Sequence, residues 1–339
     1  MPRKFPSISV AWLCALLAVA TVMSFARAQG TTQAPDSDFQ TIRAILEQPD
    51  DQIDLARAKL TLDHMIDPGI DIEGNLKQLD GMVKQIKTML PPNASSLQKM
   101  ETLIQYLYKA NQWNGNQPFR YDLDDPFGHN IYNKLLPTYL ATKRGNCISM
   151  PLLFILLGKK LGLNVTASTA PRHVFVKYRL DGDQYRNFEA TSVGPILDSS
   201  MRRQFPMTDQ ALANGMYMRP LSRKQTVAVM TGTVMEFYNQ RGQHERRIAL
   251  ANLALEYYAQ YDGAMLHLIT SYVSLMEREF MTKYPSPADI PLEERPRYLA
   301  LGQNRDLWRG KIETMGWRKS NKVTEDNYMR TIRRAKADQ

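Results

Sequence analysis

Apolar residues recur at helical spacing through the first third of the chain. Leu55, Ala58, Leu60, Leu62 and Met65 fall on one helical face, as do Ile72, Leu76, Leu79, Met82 and Ile86. Pro68-Gly69 and Pro91-Pro92-Asn93 punctuate these runs. Ser95 or Ser96 is placed to cap a further helix that turns Met100, Leu103, Ile104 and Leu107 inward. Helical character therefore extends from Ser37 to about Ala110. It breaks at 111–129 (NQWNGNQPFRYDLDDPFGH), a loop dense in Asn, Gly, Pro, Asp and aromatics. Loops of such length inside a compact domain are often functional. A short helical stretch at 130–142 leads to Lys143-Arg144-Gly145-Asn146-Cys147, then to an apolar helix from Ile148 to Leu161 closed by Gly162.

The pattern then becomes β-rich. Runs from Val165 to Thr169, from His173 to Tyr178 and, past the turn signal Asp181-Gly182, from Tyr185 to Glu189 predict an antiparallel meander. A helix followed by such a meander is an α+β core. Strand character ends near Arg219, and 223–239, 243–260 and 262–282 read as three helices rich in Ala, Leu, Met and Tyr. Within them, 226–261 resembles one degenerate tetratricopeptide unit of about 34 residues, with an isolated helical cap as the alternative. A Pro-rich linker (Tyr284-Pro285-Ser286-Pro287, then Pro291 and Pro296) precedes one or two basic helices containing Trp308 and Trp317.

The N-terminus changes the reading of composition. Arg3 and Lys4, an apolar run from Ile8 to Phe25, and Ala26-Arg27-Ala28 form the layout of a secretory signal over 1–28, cut before Gln29. An uncleaved anchor is the alternative. Ala11-Trp12-Leu13 does not suit Cys14 as a lipoprotein site, and no later apolar run is long enough to span a bilayer. The expected location is the periplasm. The formal charge of +9 falls to +6 once the leader's three basic residues go, and ten basic against four acidic residues lie between Arg305 and Lys336. That tail suits a solvated helix better than nucleic acid, which is not expected as a partner. Of two cysteines only Cys147 remains, so disulfides and thiolate metal sites are excluded. The histidines at 64, 129, 173, 244 and 267 lack ligand spacing, and no metal or other cofactor is expected.

Cys147 enters a long helix, where the dipole and free N–H groups favour a thiolate. His173 opens a strand and can aim at that helix start. Asn187 and Glu189 share a face of the following strand by period two, and either can orient the imidazole. Each residue alone has an ordinary structural role. Together, in this order, they make a nucleophile, a general base and an orienting group. The Cys147 N–H is the natural oxyanion donor, with Asn130, Asn133 or Tyr139 as the second.

The segments RGNCISMPLLFILLGKKLGLNV (144–165), APRHVFVKY (170–178) and NFEATSVG (187–194) resemble the transglutaminase-like superfamily, nearest to its SirB1-type bacterial branch, over roughly 45–200. The resemblance implies a papain-like core, a helix carrying the Cys on a small antiparallel sheet. It makes Cys147 the nucleophile and His173 the base. The third position holds Glu189 where the family has Asp, which leaves Asn187 open. Many SirB1-type members lack the Cys that stands here. The expected organisation is a leader (1–28), a transglutaminase-like domain with N-terminal helices (37–205), a helical tetratricopeptide-like region (220–282), and a linker with basic helices (283–339). The expected activity is hydrolysis or acyl transfer at amide bonds of a peptide or protein, peptidoglycan peptides being accessible. The alternative is a catalytically silent envelope scaffold whose C-terminal helices bind a protein partner.

Overall fold

The computed structural model describes residues 37–319, except 181 and 183, together with Met329, Arg330, Ile332, Arg333 and Lys336. The expected leader lies outside the described residues. The chain divides into residues 1–41 and 42–339. What is described of the first unit is the opening of helix α1 (Ser37–Glu47); the architecture below is that of the second.

The next three helices each begin on a side-chain cap. Asp54 accepts from the Ala56 and Arg57 N–H groups at the start of α2 (Leu55–Ile66). Asp71 accepts from Gly74 N–H at the start of α3 (Ile72–Met89). Ser95 and Gln98 form a reciprocal capping box at the start of α4 (Ser96–Tyr108). Their inward residues match the apolar faces of the sequence, with Leu60, Leu79, Ile86, Leu103 and Leu107 all buried. α2 also buries a charged pair one turn apart, Lys59 and Asp63. Lys59 donates to the Lys134 carbonyl (3.1 Å) and Asp63 accepts from Leu136 N–H (2.8 Å). The pair thereby pins the 3-10 turn Ile131–Lys134 and α5 (Leu136–Thr142), which lead to Cys147.

α6 (Ser149–Lys160) is the centre of the core. Every residue from Ser149 to Gly158 is buried, so the helix has no solvent face. It packs against α3, α4 and α5 and against the sheet. Gly158 permits the closest approach, since a Cβ there would lie 2.9 Å from Val165 Cγ2. The sheet is antiparallel, in the order β3 (Asn164–Ala170), β4 (His173–Arg179), β5 (Arg186–Glu189), β6 (Gly194–Ile196). Lys177 faces Asn187 across β4 and β5. The meander has one strand more than expected, because Gly194-Pro195-Ile196 carries turn residues in place of a β pattern. A two-residue parallel pairing of β1 (Arg120–Tyr121) with β2 (Arg144–Gly145) was also too short to show periodicity.

Two short helices, α7 (Asp198–Gln204) and α8 (Asp209–Ala213), lead to the C-terminal helices. These are α9 (Arg223–Gln240), α10 (His244–Tyr257), α11 (Asp262–Met276) and α12 (Arg295–Thr314), with a π-helical stretch, Glu277–Met281, continuing α11. α9 packs on α2 and β3, and so joins this region to the core. The Pro-rich linker is anchored: Ile290 is buried with Leu275, Met276, Phe280 and Leu301. Among the described residues no helix is long and apolar enough to cross a membrane.

Candidate active site

Cys147 sits in the turn between β2 and α6. Asn146, 2% exposed, organises that turn. Its Oδ1 accepts from Ile148 N–H (2.9 Å) and Ser149 N–H (3.2 Å), while its own N–H donates to Ser149 Oγ (3.1 Å). This is capping-box reciprocity with Ser in the place of Glu or Gln. Asn146 Nδ2 and Ser149 Oγ both donate to the Asn133 carbonyl (3.3 Å each). The Cys147 N–H is left with no acceptor among the described residues. Gly145 makes the turn possible: a Cβ there would meet the Tyr139 ring at 2.6 Å and Ser149 Oγ at 2.7 Å.

His173 opens β4 directly after Arg172, whose φ of 58° is uncommon for a side-chain-bearing residue. Its Nε2–H donates to Glu189 Oε2 at 2.6 Å, and its ring also hydrogen-bonds Cys147. With Nε2 engaged by the carboxylate, Nδ1 is the nitrogen that meets the thiol. Phe205 stacks on the imidazole, centroids 4.2 Å apart. The other Glu189 oxygen accepts from Thr191 N–H (3.0 Å) and Thr191 Oγ1 (2.7 Å). Burial opposes a charged imidazole, yet the Glu189 charge and the hydrogen bonds to Cys147 and Glu189 prevail and push His173 up to about 10. Burial likewise opposes the Glu189 charge. His173 and the two Thr191 hydrogen bonds outweigh it and hold that carboxyl below its ordinary range.

The structure thus brings Cys147, His173 and Glu189 together and leaves Asn187 apart. Asn187 accepts from Lys177 Nζ (2.8 Å) and donates to the Ile196 carbonyl (3.1 Å) and Asp198 Oδ1 (2.6 Å). Asn133 turns its amide to Asp122 (3.2 Å) and Asp125 (3.0 Å), and its part in the Cys turn is played by its backbone carbonyl. Asn130 bonds Tyr132 N–H, and Tyr139 is fully buried under Gly145. None of these four lines the cleft.

Cys147 and His173 open onto a cleft of about 1370 Å³. Phe119, Tyr121 and Phe127 of the aromatic loop line it, and Trp113 does not. The facing wall comes from α9 and α11, through Gly232, Glu236, Asp262 and His267. Glu236 pairs with Lys134 at 2.5 Å. Burial pushes Asp262 up to about 6 while Tyr217 Oη donates to it at 2.7 Å. Arg247 Nε donates to His267 Nδ1 (2.8 Å), and burial with the Arg247 and Lys134 charges drives His267 down to about 3. The sequence held no local signal for this wall, whose residues lie 85 to 120 positions beyond Cys147. The signal for Asn146 was present, in its spacing from Ser149. Among the described residues no group of three His, Cys, Asp or Glu side chains is arranged to hold a metal ion.

Residues 74–231 match the family model described as the transglutaminase-like superfamily. The chain carries a transglutaminase-like domain. The matched span includes α6, the four-stranded sheet and the Cys147–His173–Glu189 cluster, and the mixed, mostly helical architecture is consistent with a transglutaminase-like core. Such a domain has the fold of papain-like cysteine hydrolases and acyltransferases. No curated protein matches the chain. Among solved structures, a crystal structure of menin, described as revealing its binding site for Mixed Lineage Leukemia (MLL) protein, is similar at 14% identity. The similarity covers 81% of this chain and 70% of that one with a TM-score of 0.37, too low to carry an argument.

Proposed function

We propose that the transglutaminase-like domain is an active cysteine enzyme that cleaves or transfers acyl groups at amide bonds of peptides or proteins. The observation that carries this reading is His173 held between the Cys147 thiol and the Glu189 carboxylate. The Cys147 sulfur attacks the acyl carbon as a thiolate, and the carbonyl electrons move onto oxygen beside the Cys147 N–H. The intermediate collapses, the C–N bond breaks, and imidazolium His173 gives its Nδ1 proton to the departing amine. A thioester remains. Water or a second amine then attacks it while His173 takes the proton, and thiolate leaves as acid or new amide forms. Glu189 holds the ring orientation and stabilises the imidazolium throughout.

The finer assignments belong to the same proposal: a SirB1-type member with a tetratricopeptide-like region in α9 to α11, exported by the 1–28 leader to the periplasm, with peptidoglycan peptides within reach. Their support is the sequence layout. A peptidyl vinyl sulfone tests the core reading. Mass spectrometry is expected to find one adduct, on Cys147, formed by the wild type and lost in His173→Ala. An unlabelled wild type, or equal labelling of both proteins, would point to the silent scaffold instead.

A further inference from the structure

The cleft wall formed by α9 and α11 has no part in the chemistry above, yet it holds one side chain in a fixed chemical state. Arg247, 5% exposed, reaches from α10 and is held at three points. Its Nε donates to His267 Nδ1 (2.8 Å), Nη1 to Asn239 Oδ1 (2.7 Å) and Nη2 to Thr270 Oγ1 (2.8 Å). Asn239 lies on α9 and the other two partners on α11, so the guanidinium ties three helices together. A guanidinium can only donate, which makes His267 Nδ1 the acceptor and leaves the ring's one proton on Nε2. Burial with the Arg247 and Lys134 charges keeps that ring neutral. His267 is partly exposed and lines the cleft, and its Nε2–H meets no acceptor among the described residues.

The neighbouring groups reach the Cys turn. Lys134, whose charge acts on His267, pairs with Glu236 of α9 at 2.5 Å. A Cβ on Gly128 would lie 2.9 Å from Lys134 Cε and 3.2 Å from Nδ2 of Asn146, the residue before Cys147, so Lys134 bridges the turn and the far wall. Lys134 and Glu236 offset each other, and Asp262 is engaged on both oxygens, by Tyr217 Oη (2.7 Å) and Gly263 N–H (2.8 Å). What stays available is one uncharged donor beside compensated charges. That suits an amide carbonyl, whereas a carboxylate would meet repulsion from Glu236 and Asp262.

We infer that His267 is a substrate-binding residue, an Nε2–H donor fixed by Arg247 that takes a backbone carbonyl of the bound peptide other than the one Cys147 attacks. The peptide class rests on the proposed amide-bond chemistry at Cys147. With Nδ1 taken and Nε2 already protonated, the ring has no lone pair to offer and is not a second general base. A contact away from the reacting bond is the same in ground and transition states, so it acts on affinity and leaves the rate of the bound complex alone.

The probe is a fluorescein-labelled tri-alanyl vinyl sulfone, whose recognition groups are backbone amides. Its affinity is measured by fluorescence anisotropy in a Cys147→Ala background, where it cannot react, with His267 intact, as His267→Asn and as His267→Gln. Asn keeps an acceptor where Nδ1 stood, so Arg247 stays partnered, but it has no donor at the cleft end. Gln keeps an N–H near the place of Nε2. Kd is expected to rise about three- to tenfold in His267→Asn and to stay within about twofold of the parent in His267→Gln. With Cys147 present, iodoacetamide, which needs no peptide contact, is expected to react alike with the wild type and His267→Asn. No binding by the parent, or one Kd in all three proteins, overturns the inference. So does an equal loss in both variants, which would make His267 a packing residue. Failure of the nucleophile reading shows separately, as a wild type that binds the probe and forms no adduct.

Discussion

His173 is buried, stacked under Phe205 and hydrogen-bonded on both sides, so its ring has one orientation and its charge has a carboxylate to face. Thr191 fixes one Glu189 carboxylate oxygen and leaves the other on the imidazole. The pair also sets a pH window for stability. His173, raised from 6.5 to about 10, contributes fully below pH 6.5 and loses that contribution as pH rises toward 10. Glu189, lowered from 4.5, contributes above that pH and loses it as pH falls through its folded value. Urea melts of the wild type and Glu189→Gln should therefore differ most between about pH 4.5 and 6.5, with the gap closing toward pH 10. Turnover at neutral pH should fall by roughly a hundred- to ten-thousand-fold in the same variant. A uniform stability loss across pH would mean that the carboxylate only fills space.

At the scale of elements, the Cys turn is a helix N-terminus built from one amide side chain. Asn146 accepts from the N–H groups of Ile148, just ahead of α6, and of Ser149, its first residue, and ties the turn to the Asn133 carbonyl; α2 holds the neighbouring Lys134 carbonyl and Leu136 N–H through Lys59 and Asp63. Asn146→Ala should lower stability by about 1–2 kcal/mol in denaturant melts. Iodoacetamide should also react more slowly with Cys147, as the turn loses its register against His173. Unchanged alkylation beside a normal cap loss would show that Gly145 and Tyr139 alone hold the turn. Helical periodicity made α2 to α4 legible because each buries one face, while α6 and β3 to β5, buried almost throughout, were legible as apolar and β-rich runs bounded by turn residues. The faces of β4 and β5 likewise put His173 on the side of Glu189. That Asn187 stands apart was not legible, because period two places it on the same face and only the cross-strand partner Lys177 engages it. The bonds that define β1, β2 and β6 run between segments, which no local pattern records.

At the scale of the molecule, the cleft is shared between the core and the C-terminal helices. Its far wall depends on pairings such as Lys134 with Glu236, which distant parts of the sequence bring together only after folding. The same holds for the tail, whose basic composition was plain while its contact with Asp124 was not.

The central claim is that His173 carries a proton for Cys147 across the physiological range. The most direct measurement is the rate of Cys147 alkylation by iodoacetamide against pH, in the wild type and in His173→Ala. Because His173 is raised to about 10, it stays charged beside Cys147 over this range, and the wild type should be alkylated faster than His173→Ala at every pH from about 6 to 9. Superimposable profiles would contradict the account.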